Sequence, residues 1–216
     1  KPCTPTTRAT VALLRIMNVF ILNTGRCGST TFNNACAKIT NFTSGHETRS
    51  HLLGKERLAY PDQHIEADNR LSWFLGRLDQ TYGNDAFYVH LRRNDGKTAE
   101  SFTKRYEQGI IKAYRDDIHL DYANDKEPLA VSLDYCDTVN TNIAFFLKDK
   151  THKMDFNLEN AGSDFRAFWK NIGAEGDLEA ALAEWSVPHN ATRPVPQTLS
   201  SLLLRLKNGL QRRLRS

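Results

Sequence analysis

The sequence predicts an α/β fold in which helices flank a central, mostly parallel sheet. Along the 216 residues, short apolar runs alternate with amphipathic helical runs, which is the order that parallel strands and crossover helices follow. The clearest apolar run, residues 19–22, needs cover on both faces, as the strands of parallel sheets have. A loop with two glycines follows, and Ser29, Thr30 and Thr31 then open a helical run. Strand, loop and helix are therefore the first unit of the predicted sheet.

The rest of the first half continues this alternation. Short apolar runs bounded by turns predict strands, and apolar side chains three or four positions apart predict helices. In chain order we expect strands at residues 42–47 and 63–68, a helix at 69–82, a strand at 86–92 and a helix at 97–113. Ligands bind beyond the carboxyl ends of parallel strands, so His46 and Glu47, which end the second strand, are predicted to lie near the loop.

The second half begins with a polar, acid-rich segment, residues 114–127. It is long for a connection, which is typical of a loop that binds a ligand or of a solvated surface loop. The elements expected next are a helix at 129–150, a strand at 153–156, a helix between the N-cap Ser163 and the terminating Gly173, and a helix that starts after Asp177.

The length indicates one domain, residues 17–196, with an extension at each end. Residues 1–16 are the N-terminal extension, and residues 197–216 are predicted to be a basic amphipathic helix that either packs on the domain or lies on a membrane surface. Outside that tail the chain has 24 basic and 25 acidic residues, so its charge gives no indication of nucleic-acid binding. We expect a cytoplasmic protein, with peripheral membrane contact under the second alternative.

The glycine-containing loop predicts an anion site. Gly25 and Gly28 allow a tight turn and a close approach of ligand to backbone. The helix that starts at Ser29 directs its first amides and its positive dipole end into the loop. An ordinary nucleotide-binding P-loop has Lys where this sequence has Ser29, and a tyrosine phosphatase loop has Arg where this sequence has Asn33. These two differences weaken both interpretations.

A different phosphate loop fits better. Arg26, Cys27, Gly28, Ser29 and Thr30 stand between a strand and a helix in the order x-x-[Lys/Arg]-[Ser/Thr/Cys]-Gly-[Ser/Thr]-[Ser/Thr]. This order resembles the 5'-phosphosulfate loop of sulfotransferases, which use 3'-phosphoadenosine 5'-phosphosulfate as donor.

A second stretch also resembles that family. Sulfotransferases hold the 3'-phosphate with a strand-end Arg in Arg-Asn-Pro and a Ser eight residues on. Here Arg93 directly follows the predicted strand and Ser101 comes eight residues later, with Arg105 one helical turn beyond it. Asp95 replaces the usual proline, and an Asp-Gly pair turns the chain about as well.

The resemblance implies a P-loop nucleotide-hydrolase-like sulfotransferase architecture and transfer of a sulfuryl group to a hydroxyl or amine of a glycan, lipid or small molecule. Arg26 would stabilise the leaving oxygen, and Glu47, or failing that His46, would take the proton of the acceptor. Glu47 has the alternative role of an ion pair with Arg49, and His46 that of a surface histidine. The implied donor contacts are Gly25, Arg26, Cys27, Gly28, Ser29, Thr30, Thr31, Arg93, Ser101 and Arg105.

The four cysteines show no C-x-x-C pair and no His-linked spacing, so we expect no metal site. Cys27 is either a small loop residue, standing where the family has Ser or Thr, or a nucleophile. The second interpretation requires that Arg26 and the helix N-terminus lower the pKa of its thiol.

Two other function classes remain open beside sulfuryl transfer. One is a P-loop kinase-like phosphotransferase, which would require Mg²⁺ and which the missing Lys after Gly28 disfavours. The other is a non-catalytic nucleotide-binding module. The expected partner is a small-molecule or glycan acceptor, and no nucleic acid.

Overall fold

The structure of the protein, a computed structural model, describes residues 17–121 and 123–187. Its centre is a sheet of five parallel strands in the order β2-β3-β1-β4-β5. The strands are β1 (Val19–Leu22), β2 (Thr43–His46), β3 (His64–Ala67), β4 (Phe87–Arg92) and β5 (Lys153–Asn157). The predicted N-terminal extension, the predicted basic C-terminal helix and residues 188–196 lie outside the described residues.

Seven α-helices connect or follow the strands in the described ranges. They are α1 (Ser29–Cys36), α2 (Leu75–Tyr82), α3 (Asp95–Thr103), α4 (Gly109–Ala113), α5 (Pro128–Leu147), α6 (Ala161–Ile172) and α7 (Leu178–Ala183). None of these described helices is both long enough and apolar enough to cross a bilayer.

Strand β1 is buried from both sides. Val19 and Ile21 pack into one apolar core with residues of α1, α6 and α7, whereas Phe20 and Leu22 pack into a second core with residues of α2, α3 and α5. All four side chains are fully buried. The continuous apolar run of the sequence thus reflects a strand with helices on both faces.

The strand register brings the loops of interest to one edge of the sheet. Ile21 of β1 pairs with Ala67 of β3, which also pairs with His46 of β2, and Leu22 pairs with His90 of β4. Because all strands run in the same direction, the segments after β1, β2, β3 and β4 leave the sheet at that edge.

The predicted fold class is confirmed, and the sheet is parallel throughout. Each of the five predicted strands is present, with bounds that differ from the predicted ones by at most one residue. The strands were predictable because each is a short run bounded by polar or turn residues, a signal contained in the local sequence.

The predicted helix at residues 69–82 is wrong in its first third. Asn69–Trp73 form a 3₁₀ turn, and α2 begins only after a break at Phe74, whose φ is −123°. The side chain of Asp68 accepts a hydrogen bond from the Arg70 amide, and Ser72 Oγ donates to the Asn23 carbonyl over 3.1 Å. These contacts hold the turn under the loop after β1, so it does not continue into the helix.

Two other helix predictions need correction. The run at residues 97–113 is two helices, because the chain turns after α3 and restarts at Gly109 with a φ of +61°. Helix α6 begins two residues before Ser163, whose hydroxyl donates to the Asn160 carbonyl from inside the first turn. Gly173 ends α6 in the left-handed conformation, as predicted.

Candidate active site

The loop between β1 and α1 is shaped by Asn23, a residue that sequence reasoning did not single out. Its Oδ1 accepts from the Gly25 amide over 2.8 Å and from the Cys27 thiol over 3.4 Å. Its Nδ2 donates to the Ile21 carbonyl over 2.9 Å. In the sequence, Asn23 is marked only by its position, as a polar residue directly after an apolar strand. Asn23 therefore ties the loop back to the strand that carries it.

Both loop glycines are required by the local geometry. Gly25 has a φ of +83°, and a Cβ there would lie 2.9 Å from Asn69 Nδ2. Gly28 has a φ of +95°, and a Cβ there would lie 2.9 Å from Leu158 Cδ1. A larger residue at either position would strain the backbone and displace the end of a neighbouring side chain, so the predicted tight turn is present.

Helix α1 begins at Ser29, with Gly28 as its left-handed N-cap. The Phe32 amide donates to the Gly28 carbonyl over 2.9 Å, which closes the first turn. Thr30 and Thr31 lie in this turn, and Thr31 is buried. A helix start of this kind directs its amide dipoles toward the loop.

Three arginines gather beside the loop. Arg26 Nε donates to Ser101 Oγ over 3.0 Å, and Arg93 Nη1 donates to the Arg26 carbonyl over 3.3 Å. Partial burial lowers the pKa of Arg26, and the positive charges of Arg105 and Arg93 lower it further. The two predicted anion motifs therefore meet at hydrogen-bond distance. An anion bound among these arginines would reduce their mutual repulsion.

Cys27 lies at the bottom of the loop and is fully buried. Burial raises the pKa of its thiol to about 12, although hydrogen bonds from loop amides act in the opposite direction. The alternative of a nucleophilic Cys27 required a lowered pKa and is contradicted, because desolvation is the larger effect. A thiol that stays protonated at neutral pH is unsuited to be a nucleophile, and Cys27 fills space.

His46 and Glu47 reach the same edge of the sheet but differ in their contacts. His46 Nε2 lies 3.1 Å from Ser29 Oγ, so its ring touches the start of α1. The Glu47 carboxylate lies 2.5 Å from Arg70 Nη1. The alternative of an ion pair with Arg49 is not realised, since Arg49 donates to the Glu56 carbonyl.

The floor of the site is made by residues from distant segments. Tyr135 of α5 donates its hydroxyl to the Thr24 carbonyl over 2.7 Å. Beneath the 3₁₀ turn, Arg57 and Asp68 form a buried ion pair with an N–O distance of 2.6 Å. Sequence reasoning missed Tyr135, Arg57 and Asp68, because nothing in their local patterns differs from that of an ordinary core or surface position.

Two acids of the acid-rich segment after α4 are paired with neighbouring cations. Arg115 contacts Asp116 over 2.5 Å and Glu107 over 2.9 Å, and Lys126 lies 3.5 Å from Asp121. Within the described residues, no three His, Cys, Asp or Glu side chains are grouped so that they would hold a metal ion. With two basic and five acidic residues, the segment at 114–127 nevertheless keeps a net charge of −3.

Comparison with known proteins adds one finding about the fold. No protein-family model and no curated protein matches the chain. Among solved structures, the chain is similar to the "Sulfotransferase Domain from the Curacin Biosynthetic Pathway", with a TM-score of 0.55 and 14% sequence identity over 85% of this chain and 81% of that chain. At this identity the similarity shows the α/β fold and leaves the activity to be argued from the site.

Proposed function

We propose that the protein is a sulfotransferase that moves a sulfuryl group from 3'-phosphoadenosine 5'-phosphosulfate to a hydroxyl or amine of a small-molecule or glycan acceptor. The observation that carries the proposal is the hydrogen bond between Arg26 and Ser101. It joins two anion motifs that lie 75 residues apart in the sequence. A nucleotide with phosphates at both its 5' and 3' positions has two anionic ends to match them.

The residues present fit such a donor. Gly25 and Gly28 turn the loop at positive φ, and the start of α1 beside it supplies amides for the 5'-phosphosulfate. Arg93 and Ser101, with Arg105 beside them, would hold the 3'-phosphate through charge-assisted hydrogen bonds. Burial and the charges of Arg105 and Arg93 lower the pKa of Arg26, so a multiply charged anion bound there would offset the repulsion among the three arginines.

Arg26 and His46 are the residues that we assign to the chemical step. When bound, the donor supplies an electrophilic sulfuryl group, and its departure leaves negative charge on a phosphate oxygen. Arg26 stays protonated near neutral pH and neutralises that charge. His46, whose Nε2 lies at the loop, accepts the proton of the acceptor. The geometry supports His46 in this role over Glu47, because Arg70 holds the Glu47 carboxylate.

Isothermal titration calorimetry tests the proposal. We expect 3'-phosphoadenosine 5'-phosphate to bind with EDTA present, and Mg-ATP to bind at least about tenfold more weakly. Preference for Mg-ATP would support the kinase-like phosphotransferase instead. If the bisphosphate binds but no sulfate leaves a labelled donor, with water or with a panel of glycans, phenols and alcohols, the protein is a non-catalytic nucleotide-binding module.

Arg93→Ala and Ser101→Ala should selectively weaken binding of the nucleotide with a 3'-phosphate. Each lost charge-assisted contact should cost about 1.5–3 kcal/mol. The dissociation constant for 3'-phosphoadenosine 5'-phosphate should rise accordingly, and that for adenosine 5'-phosphate should change far less. Lys148→Ala is the matched control, because this exposed cation follows α5 at the other end of the sheet. Equal weakening for both nucleotides would place Arg93 and Ser101 outside the 3'-phosphate site.

A further inference from the structure

We propose that Glu66 is a positioning residue that holds His46 and Glu47 at the site through a contact with Thr48; the role in catalysis rests on the proposed sulfuryl transfer. Glu66 lies in the middle of β3 and is fully buried. Its carboxylate accepts from the Thr48 amide and from the Thr48 hydroxyl, each over 2.7 Å. We call the pair of Glu66 and Thr48 the carboxylate latch.

The latch acts on the backbone that carries the proposed base. Glu47 has a φ of +54°, a left-handed conformation that residues other than glycine rarely adopt and that surrounding contacts must hold. Two contacts bracket it on β3. The Glu47 amide donates to the Ala67 carbonyl over 3.1 Å, and the next residue, Thr48, is bound by Glu66.

The absence of a side chain at Gly45 leaves the space that the contact between Thr48 and Glu66 occupies. A Cβ at Gly45 would lie 2.4 Å from Thr48 Cγ2 and 2.8 Å from the Glu66 carboxylate. Glycine is therefore required on β2 so that Thr48 can fold back against β3. Gly45 of β2 also pairs with Glu66 in the strand register. Glu66 therefore contacts both β2 and the turn that follows it.

Side chains of successive strand residues point to opposite faces of the sheet, which links the latch to His46. Gly45 faces Glu66, and His46, the next residue, faces α1, where its Nε2 lies 3.1 Å from Ser29 Oγ. Release of Thr48 would let the left-handed turn relax, and the His46 ring would then lose its fixed place at the loop. Glu66 thus acts on the reaction through His46 without touching donor or acceptor.

A second threonine provides a matched control. Thr43 Oγ1 lies 2.8 Å from His64 Nδ1, and His64 Nε2 lies 2.9 Å from the Glu66 carboxylate. Thr43 therefore belongs to the same hydrogen-bond network, but at the start of β2 and away from the turn. Thr43→Val and Thr48→Val remove one hydroxyl each and keep the shape of the side chain.

Amide hydrogen exchange on the full chain tests the latch without any assay of activity. In Thr48→Val and Glu66→Gln, we expect exchange of the Glu47 amide to accelerate about tenfold or more, because local opening becomes easier. In Thr43→Val and in Thr48→Ser, which keeps the hydroxyl, the change should stay below about twofold. Equal acceleration in both valine variants, or none in either, would show that the strand pairing alone holds the turn and would overturn the proposal.

Turnover, compared with nucleotide affinity, distinguishes a positioning role of Glu66 from a general loss of structure. We expect Thr48→Val to release sulfate from labelled 3'-phosphoadenosine 5'-phosphosulfate about tenfold more slowly, with the dissociation constant for 3'-phosphoadenosine 5'-phosphate within about twofold of the wild-type value. Thr48→Ser should restore the rate. Normal turnover in Thr48→Val would reject the role of Glu66. If the wild-type protein releases no sulfate and transfers none, the proposed reaction is rejected, and hydrogen exchange still decides whether Glu66 fixes the turn.

Discussion

Replacement of His46 by alanine should lower turnover of the labelled donor by about 10²–10⁴-fold, the range typical of a lost general base. Donor binding should persist. The His46 ring forms a hydrogen bond with Ser29, and it takes no part in the hydrogen bond between Arg26 and Ser101 that joins the two anion motifs. The measurement is sulfate transfer under saturating donor, together with titration of 3'-phosphoadenosine 5'-phosphate into the variant.

Glu47→Gln is the comparison that decides between the two candidate bases. It keeps the size of the side chain and removes the carboxylate that binds Arg70. If His46 is the base, this variant should lose much less turnover than His46→Ala. The reverse order of losses would assign the role to Glu47.

Arg26→Ala should lower turnover by about 10²–10³-fold, as expected when a group that neutralises charge in the transition state is lost. Affinity for 3'-phosphoadenosine 5'-phosphate should fall much less, since Arg93 and Arg105 remain. Steady-state kinetics with labelled donor give the two effects separately.

Arg26→Lys is the informative control for this result. Lysine keeps a positive charge but lacks the Nε that donates to Ser101. Part of the turnover should therefore return. A loss confined to KM in Arg26→Ala would mean that Arg26 binds the phosphate of the ground state equally well, and its role in neutralising the leaving oxygen would then be wrong.

Local patterns were sufficient to predict the strands and the loop. Val19–Leu22 are apolar in succession, and Gly25 and Gly28 follow at positions where the backbone has positive φ. The break at Phe74 was not predictable in this way. It depends on contacts such as Ser72 with Asn23, in which the partners are 49 residues apart and no local period reports the interaction.

The candidate site shows the same division. Arg26, Arg93, Ser101 and His46 were placed together because they follow parallel strands or stand in motifs, and the structure brings them to one edge. Glu66 was missed because a lone acid in a short strand has no distinguishing pattern. Its importance emerges only from burial and from partners on a neighbouring strand.

The order of the strands divides the site into parts of unequal rigidity. The loop follows β1, which has a neighbour on each side, whereas His46 ends β2, which lies at the margin of the sheet and pairs with β3 alone among the described strands. Marginal strands detach at lower free energy than central ones. Under the proposed function, gradual heating should therefore pass through a temperature range in which the protein still binds nucleotide but no longer turns it over. In that range His46 would leave with β2, whereas the loop after β1 would stay with the central strands.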